Sequence, residues 1–299
     1  SEPLLPPERP ISRFFEPIYK SLVPNSVLVL EPVYQTPSVL YIHTSNTTVQ
    51  ALLSYLVDWR HEKGFEVNTA NTGIIGSSSS QIKGYIQNAY DTWDNPPEFV
   101  VLVGDAGGSF NIPTYSESWS GYSGDGDHPS VHLAGSDYIS DAFIGRLPFG
   151  TTSTLENIIA KILNYEKNPD VSDPTWFTRA LLVGDQGSSG LSTIMTNHNI
   201  NEMMEYRGYS DNIEVYSGSF VSGIQNGINS GVSYFNYRGY LGMSGWGNSN
   251  TSNLSNGSRL PFVTILTCGT GSFSGDSRSE RFLKVGTPSV PKGGIGAVG

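Results

Sequence analysis

From Val39 onward the chain alternates short apolar runs with amphipathic segments. Val39–His43 reads as a strand. Val49, Leu52, Leu53, Leu56 and Val57 then recur at i, i+3, i+4, i+7 and i+8, which is the spacing of one helix face. A second helix is predicted from the serine cluster Ser77–Ser80 through Ile82, Tyr85, Ile86, Ala89, Tyr90 and Trp93. It feeds the apolar run Phe99–Val103, which ends at Gly104 and Asp105. A Gly/Ser/Asp-rich loop is expected over about 106–136, followed by a strand at Ala142–Leu147. Ser153 and Glu156 have capping-box spacing. They precede a helix with Leu155, Ile158, Ile159, Ile162 and Leu163 on one face, ending near Pro169. The second half repeats the scheme with strands at Ala180–Val183, Ile213–Tyr216, Val232–Tyr237 and Phe262–Leu266, and helices near 191–206 and 221–229.

This pattern predicts an α/β chain of mostly parallel sheet with helices on both faces. We expect three parts: an extended, proline-punctuated segment over 1–37, an α/β subdomain over 38–170, and a second over 171–299 that carries the cysteine. An edge strand is expected around Val27–Leu30. Ser1 is followed by no leader-like segment, so any signal or pro-segment is expected to have been removed. Ile295, Ala297 and Val298 read as the start of a buried strand, and more of the same fold is expected beyond Gly299. The phrases "VLVGDAGG" from Val101 and "LLVGDQGS" from Leu181 are one strand-to-turn signature written twice. Any parallel strand closing in a tight turn can produce it.

Composition narrows the function classes. Seventeen Lys and Arg against 27 Asp and Glu leave a formal charge of −10, and charged residues make up only 15% of the 299. With no basic cluster to neutralise phosphates, nucleic acid is not an expected partner. No apolar run approaches the roughly 18 residues of a transmembrane helix. The low charge and the Ser, Asn, Gly and Tyr content suggest a secreted or cell-surface protein. A single cysteine excludes an internal disulfide framework.

Neither glycine-rich turn is a G-x-G-x-x-G, and no G-x-x-x-x-G-K-[ST] occurs, so a nucleotide site is not expected. The histidines (His43, His61, His128, His132 and His198) form no H-E-x-x-H, and zinc is not expected. In an open α/β sheet, chemistry gathers at the carboxyl ends of the strands. There "PFVTILTCGTGSF" (261–273) delivers Cys268 into a glycine-rich turn. A thiol so placed can attack a carbonyl, with turn N–H groups receiving the oxyanion. It can equally be a small buried core residue. Position alone does not separate these readings.

Several segments together resemble the gingipain-like cysteine peptidases: "LVDWRHEKGFEV" (56–67), "FVVLVGD" (99–105), "SDYISDAFIGRLP" (136–148), "ILNYEKNP" (162–169), "NYRGYLGMSGWG" (236–247) and "LPFVTILTCGTGSF" (260–273). The resemblance implies a caspase-like fold of two side-by-side subdomains. It also implies a secreted endopeptidase acting on peptide or protein substrates, with Cys268 as nucleophile and the amides near Gly239 and Cys268 holding the oxyanion. It implies no organic cofactor, but a structural Ca²⁺ on Asp137 and Asp141 with the carbonyls of Ala134 and Ile139. Two carboxylates around a turn, helped by carbonyls and water, suit a hard cation; the same aspartates could simply cap the turn.

The family's general base is a histidine in an N-Y-x-G-H-G segment. Here Tyr240 stands at that position, and Leu241 replaces the following glycine. Phenols ionise near pH 10 and make poor bases at neutrality. A base from His128 or His132 on the long loop is therefore a further expectation to test. Arginine-specific members place an acid in the stretch matching about 185–195, where the nearest match is Thr193, so cleavage after arginine is not implied. The alternative class is a pseudopeptidase kept as a cell-surface binding or assembly module. A third reading, a glycosylated or carbohydrate-binding surface protein, rests on Trp119 and Trp246 as exposed residues and on sequons at Asn46, Asn250, Asn253 and Asn256.

Overall fold

The computed structural model describes residues 10–22, 33–273 and 275–299. The expected strand at Val27–Leu30 lies outside them. The chain begins α1 (Glu16–Leu22), β1 (Ser38–His43), α2 (Thr47–Glu62), β2 (Glu66–Asn71), α3 (Thr72–Ile75) and α4 (Ser79–Thr92). It continues with β3 (Phe99–Val103), β4 (Tyr115–Trp119), β5 (Tyr122–Gly126), β6 (Phe143–Leu147), α5 (Thr152–Lys167) and β7 (Ala180–Gly184). Then come α6 (Ser192–Tyr206), β8 (Ile213–Val215), α7 (Phe220–Ser230), β9 (Tyr234–Arg238), α8 (Asn248–Ser252) and β10 (Phe262–Leu266). Helix α9 (Arg278–Lys284), β11 (Gly286–Thr287), β12 (Val290–Pro291) and β13 (Gly296–Val298) close it. Two compact units form: residues up to Val103 with Asp127–Arg146, and Gly104–Gly126 with Leu147–Gly299.

The first unit holds a four-stranded sheet in the order β2-β1-β3-β6, with β1 parallel to both neighbours. Every residue of β1 is buried, as expected of a strand covered on both faces. Helix α2 starts where the Asn46 side chain accepts the Thr48 and Val49 N–H groups. Ser78 and Gln81 form a complete capping box at α4. The segment expected to be extended contains α1 instead. Pro17 sits in its first turn, where a missing N–H costs nothing. Ahead of it, Phe14 meets Phe99 at 4.9 Å and Phe15 stacks on Phe143 at 4.2 Å. Arg146 on β6 grips Asp127 through two bonds of 2.9 and 2.7 Å, both side chains buried.

The second unit holds a five-stranded sheet in the order β13-β10-β9-β7-β8, parallel throughout. Its core joins Leu181, Val183, Ile224, Ile228, Phe235, Trp246 and Phe282. Helix α7 lies so close to β7 that a Cβ at Gly227 would come within 2.7 Å of Leu181. Helix α5 belongs to this unit, whereas the boundary expected at 170 put it in the first. Its buried polar face explains why. Asn157 donates to the carbonyls of Lys284 and Val285, and Lys161 Nζ to those of Phe282, Val285, Lys292 and Gly294.

Three further differences concern local signals. The cap of α5 is Thr151, whose hydroxyl accepts the Thr154 N–H, so the Ser153–Glu156 pair falls inside the helix. The expected loop 106–136 contains the antiparallel β4–β5 hairpin, whose polar composition hid any strand periodicity. Strand β2 has the polar sequence EVNTAN with only Ala70 buried, and was not predicted.

Candidate active site

The carboxyl edge of the five-stranded sheet brings the two key residues together. Arg238 pairs with Leu266, so Tyr240 and Cys268 lie two residues past the last paired positions of adjacent parallel strands β9 and β10. Adjacent strands run about 4.8 Å apart. Both residues therefore follow the same carboxyl edge of the sheet, on neighbouring strands. Cys268 is exposed. That decides the question left open in the sequence against a core residue. Tyr240 is 56% exposed.

The turns after these strands are tied to each other. The Gly242 N–H donates to the Cys268 carbonyl at 2.8 Å. Leu241 at φ 45° and Gly242 at φ 76° are both left-handed, which for Leu241 is a strained conformation. Gly239 is required for a different reason: a Cβ there would lie 2.7 Å from the Tyr237 hydroxyl. Among the described residues, neither the Gly239 nor the Cys268 N–H donates a hydrogen bond.

Residues not singled out from the sequence hold this loop. The Ser244 N–H donates to Tyr237 Oη at 2.9 Å, and the Tyr237 hydroxyl reaches Asp185 at 3.4 Å. The Ser244 hydroxyl also donates to Asp185. Burial keeps the Tyr237 phenol above its ordinary pKa, so it stays protonated. Arg278 connects the two turns, with Nε donating to the Trp246 carbonyl at 3.0 Å and Nη1 to the Gly269 carbonyl at 3.4 Å. Only Asp185 carried a signal in the sequence, as part of the repeated Gly-Asp phrase.

No imidazole joins this edge within the second unit. His198, on α6, faces Glu214 at 3.4 Å and packs on Tyr216 at 5.2 Å. In the first unit His128 and His132 bond one another at 2.9 Å, and His43 is buried against the Thr44 carbonyl at 2.8 Å. Thr193 is fully buried, with its hydroxyl on the Gly190 carbonyl, and so presents nothing to a ligand.

The expected cation loop is organised by its own amides. Asp141 accepts the N–H groups of Leu133 and Ala134 at 2.7 and 2.8 Å, and Asp137 accepts that of Ile139 at 2.8 Å. Among the described residues, no three His, Cys, Asp or Glu side chains gather around a common point. The donor set left for a cation is the second oxygen of each carboxylate, with main-chain carbonyls and water. The surface-protein reading is corrected at two of its supports. Trp246 is buried and bonded to Thr251 at 3.0 Å, while Asn256 is buried with its amide on the Arg259 and Gly293 carbonyls. The Trp119 side chain lies outside the description.

Comparison with known proteins agrees with this geometry. Residues 33–299 match the sequence model of Peptidase family C25. The chain belongs to that family. Lys-gingipain W83 of Porphyromonas gingivalis is 27% identical over 241 residues, which is 76% of this chain but 13% of the relative. The chain thus spans a small part of the curated proteins it matches. The crystal structure of gingipain R, an Arg-specific cysteine proteinase, superimposes with a TM-score of 0.77 at 23% identity, covering 88% of this chain and 62% of that one. A complex of Porphyromonas gingivalis RgpB pro- and mature domains gives 0.77 at 22% identity, covering 88% and 63%. These matches establish the caspase-like α/β fold.

Proposed function

We propose that this chain is the catalytic part of an exported cysteine endopeptidase acting on peptides or proteins. The observation that carries the reading is the exposed Cys268 just past the carboxyl end of β10, the strand paired with the one that leads to the residue at the family's base position. Sγ adds to the peptide carbonyl carbon, its proton passing to water, while the Gly239 and Cys268 amides receive the oxyanion. The C–N bond breaks, and the leaving amine takes a proton. The Tyr240 hydroxyl, at the family's base position, is the proposed donor, and it recovers a proton from water. Water then hydrolyses the thioester and regenerates the thiol.

General acid–base assistance is worth about 10²- to 10⁴-fold. An enzyme with a phenol in place of the imidazole is therefore slow at neutrality and gains rate steadily into the alkaline range, without the acidic limb of a paired histidine. Cys268→Ala should abolish hydrolysis, and Tyr240→His should raise both turnover and Cys268 alkylation at pH 7. Brisk neutral turnover that survives Tyr240→Phe would overturn this reading and require another base, with His128 and His132 tested first.

Tyr240, exposed and without a hydrogen bond among the described residues, and the engaged His198 favour a second reading, a pseudopeptidase serving as a surface-binding or assembly module. Absence of cleavage across a broad peptide library from pH 6 to 10, with Cys268 still alkylated in the folded protein, would select it.

A calcium ion at the Asp137–Asp141 turn completes the proposal. It rests on the family resemblance and on the two carboxylate oxygens that the turn amides leave over. Chelation should lower the thermal midpoint, and Asp137→Ala should remove most of that effect; a midpoint indifferent to chelator ends the idea.

A further inference from the structure

Beside the Cys268 turn lies an open cleft of about 450 Å³ bordered by Gly247, Asn248, Gly269, Ser272, Asp276 and Arg278. All of them belong to the second unit. The cleft contains two charged side chains, and they differ in one respect. The Asp276 carboxylate is already engaged: Arg281 lies at 3.0 Å, Lys284 at 3.5 Å and the Asn248 amide at 3.5 Å. Arg278 has no carboxylate within ion-pair distance among the described residues. Its two contacts are neutral main-chain carbonyls, those of Trp246 and Gly269. A guanidinium has five N–H donors in a planar fork suited to a carboxylate. Two are used here. The side chain is held by those two carbonyls, so little freedom remains to be lost when an anion binds. The fork is thus a half-filled, half-buried cation whose Nη1 lies 3.4 Å from the carbonyl of the residue after the nucleophile, in a chain whose net charge is −10.

We infer that this cleft binds the acidic side chain of an Asp or Glu residue, held by Arg278, next to the carbonyl presented to Cys268. The inference rests on the peptidase reading for its peptide, but the anion site itself does not. Hydroxyl and amide groups of Ser272 and Asn248 make the rest of the wall polar. A lysine or arginine side chain would meet Arg278, while the carboxylates at the wall are engaged, Asp276 by Arg281 and Lys284 and Asp125 by the Ser272 hydroxyl.

The probes are two alkylating agents that form the same S–CH₂ bond and release iodide, neutral iodoacetamide and anionic iodoacetate. On the folded chain, the iodoacetate-to-iodoacetamide rate ratio at Cys268 should exceed that of the urea-unfolded chain by about fivefold, the Coulomb advantage of one nearby cation in high dielectric. The excess should shrink with added salt and vanish in Arg278→Gln. Because Arg278 also ties two turns, the wild-type chain supplies a second readout. N-acetyl-aspartate amide should protect Cys268 from iodoacetamide at concentrations where N-acetyl-asparagine amide and N-acetyl-lysine amide do not. A folded ratio at or below the unfolded one, or protection equal for all three amides, overturns the inference. If peptides are cleaved after neutral or basic residues and not after Asp or Glu, the inference fails while the peptidase reading stands. If the charge preference appears without any cleavage, the anion site stands and the peptidase reading fails.

Discussion

The chain writes the phrase Val-Gly-Asp twice at strand ends, at 103–105 and at 183–185, and the structure uses the two copies differently. Locally they are alike. Each aspartate accepts a following N–H of its own turn, Ala106 for Asp105 and Gly187 for Asp185, both at 2.9 Å. Each glycine leaves no room for a side chain: a Cβ would lie 2.4 Å from the Phe110 carbonyl at Gly104 and 3.0 Å from the Thr193 carbonyl at Gly184. The second carboxylate oxygen makes the difference. Asp105 binds the largely buried ammonium of Lys284 on α9 at 3.0 Å. Asp185 instead receives the Tyr237 and Ser244 hydroxyls beneath the Tyr240 loop. One copy fixes a charge in the scaffold; the other fixes a functional loop through neutral hydrogen bonds.

Removing the charged copy should have the largest effect on stability. Asp105→Ala leaves the Lys284 ammonium with Glu280 at 3.3 Å and Asp276 at 3.5 Å. Burial pushes the Glu280 carboxyl above its usual range despite the nearby lysine, so it is an incomplete substitute. We expect a loss of about 2–3 kcal/mol by denaturant unfolding, somewhat under the cost of fully breaking a buried pair. The iodoacetamide rate at Cys268 should stay unchanged. An equal loss from Asp185→Ala would erase the distinction between the copies.

The same helix α9 supports a pH test. Lys161 is buried among four carbonyls, one from α9 and one from the residue that caps it, and burial lowers its pKa to about 7. In the unfolded chain the amine keeps its ordinary value near 10.4. Between these values the unfolded state binds more protons, so folding stability rises with pH, by up to about 1.4 kcal/mol per unit. Below about 7 both states are protonated and the full cost is present. Lys161→Met should flatten the rise between pH 7 and 9 in urea midpoints; a rise that persists unaltered would assign it elsewhere.

Asp185→Ala should give the smallest change in stability, about 1 kcal/mol, since the exposed Ser244 hydroxyl can turn to water and the Tyr237 hydroxyl still accepts the Ser244 N–H. Its effect belongs in chemistry. With Ser244 released, the Tyr240–Gly242 turn loses its anchor, and the turnover and alkylation rates of Cys268 should change while Asp105→Ala leaves them alone.

Much of the architecture was legible because it follows from local periodicity. The runs Phe99–Val103 and Phe262–Leu266 are strands with the predicted bounds, and the apolar stripes of α2, α4 and α5 face the interior as their spacing required. Strand β2 and α9 were not legible, because their stability comes from pairing and packing partners far along the chain, and the β4–β5 hairpin was hidden by its polar composition. Cys268 and Tyr240 were identifiable as site residues from motif and strand order. Arg278, Ser244 and Tyr237 were not, since a lone arginine or hydroxyl in sequence is chemically indistinguishable from a surface residue.

The residues alone thus determined the class of fold, the carboxyl edge where chemistry gathers, the thiol and the missing imidazole. These depend on residue type and on spacing within one or two elements. Only the tertiary structure decided that the thiol is exposed, that Asp185 holds a loop while Asp105 holds a lysine, and that Arg278 has no carboxylate partner. Those outcomes turn on which groups meet across tens of residues, as the 59 between Asp185 and Ser244 show, and hydrogen bonds and ion pairs act only at contact distance.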